Sequence, residues 1–126
     1  MNDLIEAQRI ALVLQNYIAR FGDLISSSSS HLSEPELKAA ASALKYEIRD
    51  ENKRLGSSKY VPQSPIEQAF LIPAVRQANG EFSKYPITNP KSSKWSLGLA
   101  ASRGEMVYRL EMLLQKYPEA ASERVR

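Results

Sequence analysis

Cysteine is absent from the chain of 126 residues. That excludes disulfides, thiolate metal sites and a cysteine nucleophile. Histidine occurs once, as His31, so no multi-histidine metal site can form and no second imidazole is available for base catalysis. Glycine is scarce, at five residues, and none of the glycine patterns that cradle phosphates is present: there is no Walker A loop and no G-x-G-x-x-G. H-E-x-x-H and EF-hand loops are also missing. No apolar run approaches the roughly 20 residues that a membrane span needs. Asp3 and Glu6 stand where a secretory signal would carry basic residues, which favours a cytoplasmic protein.

What remains is ordinary for a folded domain. Hydrophobic residues make up 43% of the chain and charged residues 25%, too apolar for wholesale disorder. The length suits one domain, expected over 1–117, with 118–126 as a flexible C-terminal tail. The net charge is +3, mild for a nucleic-acid binder. The excess sits in the middle, where residues 56–98 hold five basic side chains (Lys59, Arg76, Lys84, Lys91, Lys94) against Glu67 and Glu81.

Apolar residues recur at helical spacing and never alternate with period two over a strand's length. The first helix is expected from Asp3, which pairs with Glu6 in a capping-box pattern, and runs through Ala7, Ile10, Ala11, Leu14, Tyr17, Ile18 and Phe21 to Gly22 or Ile25. Leu12 and Val13 add apolar surface off that stripe, and an apolar surface of this kind seeks a partner. Ser26 to Ser30 reads as a connector. The second helix opens on Ser33 with Glu36 three residues later, Pro35 in the first turn, and Leu32 and Leu37 placed as a hydrophobic staple. Gly56 is expected to end it in left-handed geometry.

Ser64, Pro65 and Glu67 open a third helix. Pro73 lies inside it, cannot donate to the Ala69 carbonyl, and is expected to kink or split the helix. It also biases Ile72 away from helical angles. Ala69 to Val75 reads as buried, and Asn79-Gly80 as the end. Residues 80–94 lack periodicity and read as a long loop. The last helix is strong from Glu105 to Tyr117, with Glu105 and Arg109 as an i,i+4 pair, and reaches back to Trp95 if Gly98 and Gly104 are tolerated. The fold class is therefore all-α, a compact bundle of four main helices, the third kinked or split at Pro73.

Three functional readings follow. The first is a non-catalytic helical interaction module that binds another protein or itself, with Leu12 and Val13 at the interface. It needs no cofactor, metal or catalytic constellation. The second is a nucleic-acid-binding subunit. Between Phe82 and Trp95, lysines alternate with aromatic rings; Lys84, Tyr85, Lys91, Lys94 and Trp95, joined by Lys59 and Tyr60, offer phosphate-neutralising charge and stacking faces. The same aromatics would equally serve to pin a loop onto the helices. The third is a metal-dependent enzyme using Glu47, Asp50 and Glu51, which share a helical face; no second helix supplies a matching carboxylate set, and Arg49, Lys53 and Arg54 interleave with them. His31, between a serine run and a helix cap, reads as a surface residue.

Overall fold

The computed structural model describes residues 3–27, 33–85 and 93–122. Among them the structure is all-α, without strands. Helix α1 spans Asp3–Ser27, α2 Glu34–Leu55, α3 Ile72–Ser83, α4 Ser93–Lys116 and α5 Glu119–Ser122, and a π-helical turn, Glu67–Leu71, leads directly into α3.

α1 continues beyond Gly22 and takes in the first two residues of the serine run, Ser26 and Ser27. The remaining serines, His31 and Leu32 lie outside the described residues, so the staple does as well. The Ser33 cap forms as read: the Glu36 N–H donates to Ser33 Oγ at 3.3 Å, and the Ser33 N–H donates to the Glu36 carboxylate at 3.0 Å. Gly56 departs from expectation. Its φ of −89° is right-handed, and its N–H closes the helix on Asn52 O at 2.9 Å. No left-handed residue is needed because the chain leaves α2 through a tight turn.

Pro73 shapes the third helical segment differently from a simple kink. Ile72 stays helical, with φ −59° and ψ −48°, and its N–H reaches Glu67 O, five residues back. The wider π ladder precedes the proline, which then occupies the first turn of α3, where a missing N–H is tolerated. Phe70, Leu71, Ala74 and Val75 are buried as read, whereas Ala69 is exposed and Ile72 half-buried. Asn79 and Gly80 do not end the helix. Phe82, read as part of an irregular loop, is a core residue of α3 because the helix runs to Ser83.

Pairings fix the helix directions. Arg20 meets Glu47, while Tyr17, less than a turn earlier, lies in the field of Glu51, one turn later, so α1 and α2 are antiparallel. Ser102 Oγ donates to Ala78 O at 3.1 Å, and Gly98 lies under Tyr85, so α3 and α4 are also antiparallel. α4 packs along both α1 and α3. Trp95, Phe21, Phe82, Leu14, Leu44 and Ile48 are fully buried, each contributing about 1.5–3 kcal/mol through apolar surface removed from water. Phe21 and Phe82 meet tilted, with ring centroids 5.6 Å apart. The segment after Pro118, read as a loose tail, folds at its start: α5 packs on α1 with Ala120 buried, an apolar contact that fixes the turn, and residues 123–126 lie outside the described residues.

Candidate functional site

The densest polar chemistry lies where α1 meets the turn that opens the third helical segment. Arg9 Nε donates to Glu6 Oε1 at 2.7 Å, and its Nη2 donates to Glu67 Oε2 at 2.9 Å. Ser64 donates its hydroxyl proton to Glu6 and accepts the Glu67 N–H at 3.0 Å, which makes it the cap of the helical turn that begins at Pro65 and leads into the π turn. Tyr60 donates to Glu67, and the Gln63 N–H donates to the same carboxylate oxygen at 3.1 Å. The Arg54 guanidinium stands 5.1 Å from the Tyr60 ring centre and is itself bonded to Glu51. Glu67 is only 2% exposed.

Two carboxylates therefore share one guanidinium in a largely dry place. Arg9 hydrogen bonds, then Ser64, hold Glu6 below the usual carboxylate range. Burial pushes Glu67 up, and Tyr60, the Gln63 N–H and Arg9 together outweigh it, so its net shift is also downward. The Tyr60 hydroxyl is pushed up, first by donation to Glu67 and then by burial. Every group is engaged on each side. Ser64 both donates and accepts. The arrangement fastens α1 to the 57–66 connector. Sequence reading assigned Glu6 to a helix cap and missed this cluster. The spacing of Glu6 and Arg9, three apart on the edge of the apolar stripe, was its available signal.

Of the residues singled out from sequence that the structure describes, Trp95 and Tyr60 do not offer free ring faces. Trp95 is 1% exposed and anchors α4 in the core, offering no ring face to a base. Tyr85 is half-buried against Gly98. Lys84 Nζ is 3.1 Å from Glu81, and Lys94 is exposed on the first turn of α4. Lys91 lies outside the described residues. Lys59 is exposed, whereas Tyr60 belongs to the Glu67 cluster. Glu47, Asp50 and Glu51 are each met by an arginine, Arg20, Arg49 and Arg54 respectively. Among the described residues no three acidic or histidine side chains converge as a metal site, and no helix is long and apolar enough to cross a membrane.

The other chemical feature of the surface is apolar. Leu12 is 59% exposed and Ile5 62%. Seven residues apart, they stand on the same side of α1, opposite Ala7, Ile10, Leu14 and Phe21. Val13, paired with Leu12 in the sequence reading, is partly buried against the core. α4 shows a second outward set, Leu97, Tyr108 and Met112, which sequence reading overlooked because the inward seam of the same helix dominates its periodicity. Comparison with known proteins supplies no relative for this surface: no family model, no curated protein and no solved structure matches the chain.

Proposed function

We propose that the chain is a non-catalytic helical interaction module that binds another protein, or a second copy of itself, through outward apolar faces. The observation that carries this reading is the pair Ile5 and Leu12, exposed on the side of α1 that no helix covers. Apolar surface held in water is unfavourable, and a partner that covers both side chains would relieve it. The charged groups support the same reading, because the acidic cluster of α2 and the Glu6–Glu67 cluster are both consumed by arginines inside the chain. A nucleic-acid reading has less behind it, since Trp95 is buried and Lys84 is engaged by Glu81. A cysteine-free composition suits a cytoplasmic setting.

The test is retention of a partner from nuclease-treated lysate on immobilised wild type and on Leu12→Glu. Leu12 is on the surface, so the substitution leaves the core intact. A protein held by the wild type and lost from the variant is the expected result. Equal retention by both, or release by nuclease, contradicts the proposal.

A further inference from the structure

The outward row on α4 can be assigned an occupant, which rests on the interaction-module reading and deepens it. Leu97, Ala101, Gly104, Tyr108 and Met112 follow one another at intervals of four, three, four and four, so they stand on one side of the helix. The opposite side, including Trp95, Leu99 and Met106, fills the core. In the middle of the row nothing lies within 4 Å of the point where a Cβ on Gly104 would stand, so the row has an open seat. A turn later Tyr108 projects outward, 53% exposed, with the Arg109 guanidinium over its ring.

Charge follows the row on both edges. Glu105 and Arg109 lie on one side of it and Glu111 on the other, whereas Arg103 points away from the row, its Nε 3.7 Å from where a Cβ on Gly22 of α1 would stand. None of the four forms an ion pair among the described residues, although Glu105 and Arg109 have the spacing for one. The i,i+4 pair expected from the sequence is thus not made. The Arg109 side chain instead turns over Tyr108, and its Nε is buried with no acceptor.

We propose that this face binds a second copy of the chain, α4 against α4, antiparallel about a two-fold axis level with the junction of Met106 and Val107. In that register Tyr108 of one copy sits in the seat over Gly104 of the other, and Met112 lies across from Ala101. Glu105 comes opposite Arg109. The midpoints of these three pairings are 106, 106.5 and 107, so one placement satisfies them to within half a residue, and the two-fold makes each pairing twice. Large residues meet small ones, and an acid without an ion pair meets a base without one. This self-complementarity is what selects a second copy over an unrelated partner. The face is about 25 Å long and about 10 Å wide, a few hundred Å2 per copy. A stable interface uses about 800 Å2 per partner, so the dimer is weak and reversible.

Sedimentation velocity over a series from micromolar to millimolar protein tests the assignment. The wild type shifts from monomer toward dimer mass across the series. Gly104→Leu fills the open seat without a clash inside the monomer, and it weakens dimerisation at least tenfold while its melting temperature does not fall. Glu105→Arg weakens the dimer, and Glu105→Arg combined with Arg109→Glu restores it. Should the double variant melt early, Tyr108→Ala, at an exposed side chain of the row, replaces it and is expected to weaken the dimer as Gly104→Leu does. Leu12→Glu on α1 leaves the dimer unchanged. A wild type that stays monomeric at millimolar concentration overturns the proposal. So does a dimer that Gly104→Leu leaves intact, or one that the charge swap fails to restore. A dimer lost only with Leu12→Glu overturns the α4 assignment and leaves the module reading standing.

Discussion

At the residue scale, the costliest placement is Glu67, a carboxylate with almost no exposure beside a second carboxylate, Glu6. It is stable there because Arg9, Tyr60, Ser64 and a backbone N–H together replace the water that each acid gave up. Both acids titrate below their ordinary value of 4.5 in the folded chain. Groups depressed in this way stabilise the fold fully above the unfolded value, and that contribution drains away as pH falls through the folded values. Removing the cation leaves two buried charges unmatched. Arg9→Ala is expected to cost roughly 3 kcal/mol at neutral pH, the low end for a broken buried pair because Arg9 itself is partly exposed. The deficit relative to wild type should shrink below pH 4.5, where protonation relieves the stranded carboxylates. Urea melts of both proteins at pH 7 and pH 4 measure this. A deficit that is the same at both pH values would show that Arg9 acts by packing alone.

At the scale of elements, α4 shows how one residue type serves two purposes on one helix. A Cβ on Gly98 would lie 2.8 Å from Tyr85 Cβ, so glycine there admits the tyrosine against the helix backbone. Gly104, less than two turns later, has open space beside it. The two glycines look alike in sequence, and only the position of Tyr85 separates them. Gly98→Ala is expected to destabilise by about 1–3 kcal/mol through overpacking. Gly104→Ala is expected to stabilise by about 0.5–1 kcal/mol, the ordinary gain of alanine over glycine inside a helix. Thermal melts of the two variants should therefore move in opposite directions, and a shift of the same sign in both would contradict the assigned roles. The π turn before Pro73 was likewise out of reach of sequence reading. Proline announces a lost donor, but whether the chain kinks, breaks or widens its ladder depends on what packs around it, here α1, α3 and α4. Caps were legible because their physics is local: Ser33 with Glu36, and Ser64 beneath the Glu67 N–H, need only a few residues of sequence.

At the scale of the whole molecule, the helical class and most of the core were readable from spacing, since Ala7, Ile10, Leu14, Leu44, Ile48 and Leu113 are all buried as their stripes require. The polar cluster was not, because Glu6 and Glu67 are far apart in sequence and meet only when α1 packs beside the turn at Ser64. The basic, aromatic stretch misled for a related reason. A tryptophan among lysines reads as a binding surface until helix α4 is seen to begin at Ser93 and to turn that ring inward. The assembled molecule leaves apolar side chains outside on α1 and α4, besides Tyr46 and Val61, and the account rests on the α1 and α4 faces being used. Backbone amide NMR of the wild type, recorded as its concentration rises from micromolar to millimolar, tests this most directly. The account predicts resonance changes that cluster on the outward residues of α4, Leu97, Gly104, Tyr108 and Met112, and spare the core. Spectra that do not change with concentration, or changes confined to Lys84, Tyr85 and Lys94, would contradict it.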